Sequence, residues 1–228
     1  MSPVRAVIFD VYGTLLQMQP PAGDVEGAWQ ELFLESYQEK SPLDLEALAL
    51  RCTEIVAEDH AAARKLGIRY PEVCWPSVMA RALGVGEVSE DLICRHAALR
   101  HAVTLAPGAQ EFLSACHERG LALGIASNAQ PYTLHELSAA LGEPWERVFD
   151  PQLSFWSFQH GFSKPDPHVF RILAARLESR RISPDSVLMI GDRPDNDIAP
   201  AIAAGFQAWL LGEGTDWTSL RTRLESGQ

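Results

Sequence analysis

The stretch that decides the fold lies near the start of the chain, at residues 4–16, Val-Arg-Ala-Val-Ile-Phe-Asp-Val-Tyr-Gly-Thr-Leu-Leu. Its first part is a short, mostly apolar run that ends in a carboxylate, Asp10, and the turn-forming residues Gly13 and Thr14 follow. Short apolar runs bounded by turn signals are typical of strands that are buried on both faces of a parallel sheet. We therefore predict a buried parallel strand with Asp10 at its carboxyl end.

Helical patterns follow this strand, and strands return only after Leu105. In residues 24–103 the patterns predict helices alone, at Val25–Tyr37, Leu43–Leu66, Pro71–Leu83 and Val88–Val103. Beyond Leu105, helices and short apolar strands alternate, which is typical of an α/β sheet. The predicted strands are Leu121–Ala126, Ser186–Ile190 and Ala208–Leu211. The predicted helices are Pro107–Glu118, Tyr132–Leu141, His168–Ser179, Ile198–Ala204 and a terminal helix, and residues 145–162 have no clear assignment.

The simplest architecture is α/β, a parallel-sheet domain with a helical domain inserted after its first strand. The sheet domain would comprise residues 1–16 and 104–228, and the insertion residues 17–103. The chain has 228 residues, which suits one large or two unequal domains. Hydrophobic residues make up 46% and charged residues 21%, the composition of an ordinary globular protein.

The composition excludes several classes of partner and location. The formal net charge is −11, so the surface repels nucleic acid and anionic lipid, and we expect neither as a partner. No apolar run approaches the ~18 residues that span a bilayer. The first residues lead straight into the predicted strand, so we expect no signal peptide. Four widely spaced cysteines favour reduced thiols in a cytoplasmic protein over a disulfide or zinc framework.

Polar residues follow three of the predicted strands. Asp10, the pair Ser127-Asn128, and Asp192 each come directly after a strand, and Lys164 precedes a helix. Ligands bind outside the carboxyl ends of parallel strands, so these residues would meet at one edge of the sheet. Each of them alone is most often a turn or capping residue, but four of them in this order are an improbable coincidence.

The chemistry of these residues points to a phosphorylated substrate. A carboxylate such as Asp10 can attack phosphorus, while Ser127 and Asn128 offer donors to phosphoryl oxygens. Asp192 and Asp197 offer the hard oxygen ligands that Mg²⁺ prefers. With Asp10 they contribute three negative charges, a phosphate monoester adds nearly two more, and Lys164 cannot balance that total. The sequence therefore predicts a divalent cation at this edge.

The sequence resembles the haloacid dehalogenase-like hydrolase superfamily, in the branch with a helical cap after the first strand. The resemblance lies in Phe9–Leu15, Ile125–Asn128, Gly161–Pro167 and Ile190–Asp197, followed by Ala203-Ala-Gly205. It covers the core, about 140 residues, whereas the cap matches only as a helical insertion. The resemblance implies a Rossmann-like core with an inserted helical cap domain. It also implies these roles: Asp10 as nucleophile, Mg²⁺ held by Asp10, the Tyr12 carbonyl and Asp192 with support from Asp197, and phosphate held by Thr14, Ser127, Asn128 and Lys164.

One position departs from the phosphatases of that superfamily, which usually carry a second aspartate two residues after the nucleophile. Here that residue is Tyr12, and a phenol with a pKa of ~10 is a poor base at neutral pH. A tyrosine is instead what the 2-haloacid dehalogenases look like. Those enzymes use no metal, however, and they typically carry serine where this chain has Asp192. Their later tyrosine corresponds to Phe170, and their cap arginine falls near Gln30.

The leading hypothesis is a Mg²⁺-dependent phosphatase of small phosphorylated metabolites that acts through an aspartyl-phosphate. The alternatives are a 2-haloacid dehalogenase and a binding or regulatory protein that kept the scaffold without efficient catalysis. Substrate identity and oligomeric state stay open at this point. Weaker candidates are cap aromatic residues, histidines and charged residues near Asp192, which are more often structural or solvated: Trp29, Tyr37, Tyr70, Trp75, His60, His96, His101, Arg193 and Asp195.

Overall fold

Seven strands and ten helices lie in the part of the chain that the computed structural model describes, residues 2–212 and 214–226. The strands are β1 (Ala6–Phe9), β2 (Leu16–Gln19), β3 (Ala102–Leu105), β4 (Ala122–Ser127), β5 (Phe155–Trp156), β6 (Val187–Gly191) and β7 (Gln207–Leu210). The helices are α1 (Val25–Tyr37), α2 (Leu45–Lys65), α3 (Trp75–Leu83), α4 (Glu90–Arg100), α5 (Ala109–Glu118), α6 (Pro131–Leu141), α7 (Trp145–Val148), α8 (Pro167–Ser179), α9 (Ala199–Ala203) and α10 (Trp217–Ser226).

The main sheet has five parallel strands in the order β5-β4-β1-β6-β7, so the predicted α/β fold class is confirmed. Strand β1 lies at its centre, with Ala6 opposite Ala122 on one side and Val187 on the other. Its side chains alternate between two buried clusters: Val7 and Phe9 face one, and Ala6 and Ile8 face the other. Because helices cover both faces of the sheet, β1 reads as a continuous apolar run.

The helical segment between β2 and β3 has a core of its own. Helices α1 to α4 bury one shared cluster that includes Trp29, Phe33 and Leu48. Side-chain carboxylates begin two of these helices, since Asp24 accepts from the Gly27 amide and Asp44 from the Ala47 amide. The helices predicted at Val25–Tyr37 and Leu43–Leu66 are confirmed within two residues.

One expectation about strands was wrong, and a further strand lies in a region for which the sequence gives no assignment. No strand was expected within residues 24–103, but α4 ends at Arg100 and β3 begins at Ala102. Strand β3 pairs antiparallel with β2, and this two-stranded ribbon connects the helical segment to the sheet domain. The region left unassigned at 145–162 contains β5, which adds an edge strand beside β4. Both pairings depend on a partner strand distant in the sequence, which local patterns do not reveal.

A short backbone ladder joins the helical segment to the sheet domain. The Ser163 amide donates to the Tyr70 carbonyl at 2.9 Å, and the Glu72 amide donates to the Gly161 carbonyl at 3.0 Å. We call these paired segments, 70–72 and 161–163, the interdomain ladder. It places the helical segment over the carboxyl edge of the main sheet, next to Lys164. In the described part of the chain, no helix is both long and apolar enough to cross a bilayer.

Candidate active site

A buried lysine between two carboxylates forms the centre of the site. Lys164 Nζ lies 2.7 Å from Asp10 Oδ1 and 2.5 Å from Asp197 Oδ1. All three residues are less than 10% exposed. Ion pairs of this kind are stable only where each charge is compensated, because burial removes the solvation that the charges have in water. The predicted convergence of Asp10, Lys164 and Asp197 is therefore observed, although the three are far apart in the sequence.

Each of these side chains is held by the element that carries it. Asp10 follows β1, and its amide donates to the Ile190 carbonyl of β6 at 2.9 Å. Asp197 lies in a wide turn after β6, where its second oxygen accepts from the Arg193 amide at 3.0 Å. Asn128 fixes the backbone of Lys164, in the loop before α8. Its Oδ1 accepts from the Lys164 amide at 2.7 Å, and its Nδ2 donates to the Lys164 carbonyl at 2.9 Å.

Asp192 completes the set of three carboxylates expected from the sequence. Oxygens of Asp10, Asp192 and Asp197 all lie within 4.8 Å of one another. Asp192 packs against Gly13, where an added Cβ would lie 2.3 Å from Asp192 Oδ2. Gly13 also has a φ of +79°, a conformation that favours glycine. The turn after β1 therefore requires glycine for two reasons, its backbone conformation and the space that Asp192 needs.

The unpaired atoms around the carboxylates fit a cation and an anion at this edge. Asp192 Oδ1 is buried and has no hydrogen-bond partner among the described residues. Thr14 Oγ1 and Ser127 Oγ are buried and unpaired in the same sense. A buried oxygen without a partner is costly, so an ordered ligand is the usual explanation. Carboxylate oxygens are the ligands that Mg²⁺ prefers, and the donor set therefore fits a magnesium ion.

Burial and neighbouring charges shift the acidities at the site. Burial raises the pKa of the Asp10 carboxyl above its ordinary value, the Lys164 ammonium opposes that rise, and the Asp197 carboxylate adds to it. Burial raises the pKa of Asp192, and the Asp197 charge contributes in the same direction. Burial lowers the pKa of Lys164, but the two carboxylates outweigh burial and the net shift is upward. Lys164 is therefore a fixed positive charge rather than a proton donor.

A family model for haloacid dehalogenase-like hydrolases matches residues 4–205, nearly the whole chain. The chain belongs to this family. Among the curated relatives of this hydrolase is the phosphoglycolate phosphatase of Rhodospirillum rubrum, 27% identical over 221 residues, which are 92% of this chain and 80% of the relative. The phosphoserine phosphatase of Thermus thermophilus is 31% identical over 117 residues. That match spans half of this chain and 43% of the relative's length.

Solved structures of the family share the fold of this hydrolase. A HAD-like family hydrolase from Porphyromonas gingivalis aligns over the full length of both chains, with a TM-score of 0.61 and 21% identity. The L-2-haloacid dehalogenase of Xanthobacter autotrophicus, with chloropropionic acid covalently bound, covers 98% of this chain and 83% of its own at a TM-score of 0.53 and 23% identity. A family enzyme from Bacteroides thetaiotaomicron, in complex with magnesium and inorganic phosphate, has a TM-score of 0.57 at 17% identity and covers 95% and 98% of the two chains. These likenesses show the fold alone.

The hydroxyl of Tyr12 in this hydrolase is bound by two side chains of α6. Its hydroxyl donates to a Glu136 carboxylate oxygen and lies 3.0 Å from Thr133 Oγ1. Burial raises the pKa of the Tyr12 phenol, and the bond to Glu136 raises it further. The other Glu136 oxygen lies 3.0 Å from His101 Nε2. Tyr12 therefore remains a neutral phenol with its hydrogen directed to Glu136.

Two adjoining cavities open at this edge of the sheet. A cavity of about 160 Å³ is bounded by the buried lysine and its carboxylates, and it includes Ser127 and Asn128 in its wall. A larger one of about 400 Å³ lies under the helical segment. Tyr12 and Asn128 line both cavities, so the cavity beside Asp10 adjoins the one under the helical segment.

The weaker candidates divide between structural positions and the cavity walls. Trp29 is fully buried in the helical core, and His96 packs against it with ring centroids 5.4 Å apart. The Tyr37 hydroxyl donates to the Glu87 carbonyl at 2.7 Å. In contrast, Trp75, His60 and His101 line the larger cavity, and Arg193 lines the smaller one. Tyr70 belongs to the interdomain ladder, and Asp195 pairs with Arg193 at the surface.

Three polar residues at the site were not singled out from the sequence. Glu136 and Thr133 hold Tyr12, and Gln130 joins α6 to the helical segment by donating to Glu72 Oε1 at 3.0 Å and to the Val73 carbonyl at 3.1 Å. All three lie in or just before α6, immediately after the Ser127-Asn128 pair. Their nearness to that strand end is the only signal that the sequence offers.

Proposed function

We propose that this hydrolase is a Mg²⁺-dependent phosphatase of small phosphorylated metabolites that acts through an aspartyl-phosphate on Asp10. The observation that carries the proposal is the imbalance of charge at the site. Three carboxylates meet there, one buried ammonium pairs with two of them, and the third, Asp192, keeps a buried oxygen without a partner. A divalent cation offsets that excess and allows an anionic phosphate to approach.

The residues of this chain divide the work of the reaction. Asp10 Oδ1 is held by Lys164, and its other oxygen attacks phosphorus while the bond from phosphorus to the leaving oxygen breaks. Lys164, Ser127 and Asn128 line the small cavity and would hold the phosphoryl oxygens, together with Thr14, whose hydroxyl oxygen is buried and unpaired among the described residues. A water molecule then attacks the phosphorus of the aspartyl-phosphate, which releases phosphate and restores the Asp10 carboxylate.

The cation site would be built by Asp10, the backbone carbonyl of Tyr12 and Asp192, with Asp197 in support. When bound, Mg²⁺ supplies positive charge that neutralises the phosphoryl oxygens as negative charge develops on them. Asp197 has a second task, because it shares Lys164 with Asp10 and so fixes the direction of the ammonium.

We also propose that the chain divides into a core and a cap. Residues 1–16 and 104–228 form the catalytic core, and residues 17–103 form a cap that excludes water once substrate is bound.

The activities named for the relatives support a phosphatase. Both are phosphatases of small metabolites, and the R. rubrum protein aligns with most of this chain. The free cysteines support a reducing, cytoplasmic environment. The acidic charge makes a nucleic-acid or anionic-membrane partner unfavourable.

A dehalogenase is the second candidate, because Tyr12 takes the place of the usual aspartate. Two further positions count against it. Gln30, near the position of the dehalogenase cap arginine, bonds to Glu26 and to the Ser41 amide rather than lining either cavity. Phe170 lacks a hydroxyl and is fully buried against Phe206. Without a cation, Asp192 would also repel the carboxylate of a 2-haloacid.

The test is turnover of p-nitrophenyl phosphate with and without divalent cation. We expect activity with Mg²⁺, loss of that activity in EDTA and recovery when Mg²⁺ is added back. Asp10→Asn should reduce kcat to below a tenth of wild type in a folded protein, since an amide has the shape of the carboxylate but cannot attack phosphorus. Asp195→Asn is the matched control at an exposed aspartate and should retain activity. Chloride release from 2-chloropropionate in EDTA would instead establish the dehalogenase.

A further inference from the structure

The wall of the larger cavity is aromatic and acidic. The rings of Tyr12, Trp75 and Tyr132 line it, together with the carboxylate-bearing Glu72. Its described lining includes two histidines, His60 and His101, and no lysine or arginine. In the proposed reaction this cavity receives the part of the substrate that leaves, because the smaller cavity beside it contains Asp10 and Lys164.

Glu72 is an incompletely satisfied carboxylate in that wall. Its Oε1 accepts from Gln130 Nε2 at 3.0 Å and from the Val73 amide at 2.8 Å. Its Oε2 is shielded from solvent and has no hydrogen-bond partner among the described residues. An enclosed carboxylate oxygen without a donor is costly, and a positive charge nearby reduces that cost.

A neighbouring cavity is also lined by acidic and aromatic side chains. This pocket of about 250 Å³ shares Glu72, Gln130 and Tyr132 with the larger one and adds a second carboxylate, Glu90. Its described lining contains no basic side chain. Arg100 lies in the wall of a further pocket of about 200 Å³, which shares Trp75, His101 and Tyr132 with the larger cavity. On the side of Glu72 and Glu90, however, a substrate that extends from Asp10 under the helical segment meets carboxylates and aromatic side chains and no basic side chain among the described lining.

We infer that the leaving group of the substrate carries an ammonium group, and that the substrate class is the phosphate monoesters of amino alcohols or of amine-bearing phenols. The inference rests on the proposed function and specifies its substrate. An ammonium is attracted by the Glu72 carboxylate and by the faces of the surrounding rings, and such attraction is strongest where water is excluded. A carboxylate in the same place would be repelled. Phosphoglycolate, whose leaving group carries a carboxylate and no amine, is accordingly a poor substrate.

The experiment uses aryl phosphates that differ in charge but little in leaving-group basicity. The 4-(aminomethyl)phenyl, 4-(hydroxymethyl)phenyl and 4-(carboxymethyl)phenyl phosphates are compared with p-nitrophenyl phosphate, all with Mg²⁺. We expect kcat/KM for the ammonium ester to exceed that for the neutral ester about tenfold, a factor that lies between those of an exposed and of a desolvated cation–π contact. The carboxylate ester should be slower than the neutral one.

Variants locate the preference. Glu72→Gln should bring the ratio of kcat/KM for the ammonium ester to that for the neutral ester close to one; a general loss of activity lowers both values alike and leaves this ratio unaffected. Glu58→Gln removes the same charge from an exposed residue of the helical segment and should leave the ratio unchanged. If p-nitrophenyl phosphate is cleaved but the ammonium ester is no better than the neutral one, the inference is overturned and the phosphatase stands. A carboxylate preference that Arg100→Gln abolishes would also overturn it. If none of the four esters is cleaved, the proposed function fails and the inference fails with it.

Discussion

Replacing Tyr12 should change which phosphate esters are cleaved more than how fast the best ester is cleaved. A positioned general acid contributes roughly 10²–10⁴-fold, and most where the leaving oxygen is most basic. In this chain the Tyr12 hydrogen is directed to Glu136 and its pKa is raised, so that contribution is missing. We expect wild type to prefer aryl over alkyl phosphates by at least about 100-fold, the lower end of that range.

Two substitutions separate proton donation from packing. Tyr12→Asp introduces the missing carboxylic acid, and it should increase the alkyl rate relative to the aryl rate by about 10–100-fold. Tyr12→Phe removes only the hydroxyl. It leaves a Glu136 oxygen without its donor, which should lower the free energy of unfolding by about 1–3 kcal/mol. The ratio of aryl to alkyl rates should not change in Tyr12→Phe, because the phenol is not the acid.

Phenyl and benzyl phosphate are the appropriate pair, since they are close in size and uncharged beyond the phosphate. The readout is the ratio of their kcat/KM values, measured with saturating Mg²⁺ for each folded variant. Equal rates in wild type would refute the reasoning and show that another residue supplies the proton. His101, whose Nε2 lies 3.0 Å from the second Glu136 oxygen, would be the first residue to replace in that case. A rise of the aryl-to-alkyl ratio in Tyr12→Phe would make the phenol itself the acid, and an equal fall of that ratio in both variants would assign the effect to the lost packing of the ring.

Three further predictions concern Gly13, Asp192 and His96. Gly13→Ala should raise the Mg²⁺ concentration for half-maximal activity at least about tenfold, because the new Cβ would displace Asp192. Gly120→Ala is the control for backbone strain alone, since Gly120 has a φ of +66° and no neighbouring atom lies where its Cβ would be added. Mg²⁺ should raise the melting temperature of wild type and not of Asp192→Asn, and an equal rise in both would remove Asp192 from the cation site. Burial lowers the pKa of His96 from its ordinary value of 6.5 to about 4. The fold therefore favours neutral His96, and the stability that this residue contributes is complete above pH 6.5 and is lost as the pH falls towards 4. In urea unfolding, the free energy of unfolding of wild type should therefore fall by about 2 kcal/mol more than that of His96→Gln between pH 7 and pH 5.

The central strands of the sheet could be predicted because their sequences are buried on both faces. Strand β1 is a continuous apolar run that requires no partner to recognise. Strand β5 is only two residues long, Phe155–Trp156, and aromatic side chains at that length fit a loop or a core turn equally well. Strand β2 has one buried residue, Leu16, followed by three exposed ones, so its pairing with β3 leaves no periodic pattern.

The site could be predicted where strand ends carry polar residues, and not where helices do. Asp10 and Asp192 follow strands, and the topology of a parallel sheet brings them to one edge. Glu136 and Glu72 have no such signal, because a glutamate within a helix or in a loop is ordinarily solvated. Their partners come from distant parts of the chain. The fold of the sheet part brings Tyr12 to Glu136, and the docking of the helical segment brings Glu72 to Gln130.

The interdomain ladder makes the helical segment and the lysine loop interdependent. Segment 161–163 pairs with 70–72 and leads directly into Lys164, so the backbone that presents the ammonium is anchored from both domains. The insertion is therefore not an exchangeable module. A chimera with the helical segment of another family member must reproduce an extended backbone at 70–72, or it gives up contacts that hold the Lys164 loop in place. Divergence in this lineage is accordingly easier through side chains that line the cavity than through replacement of the whole insertion.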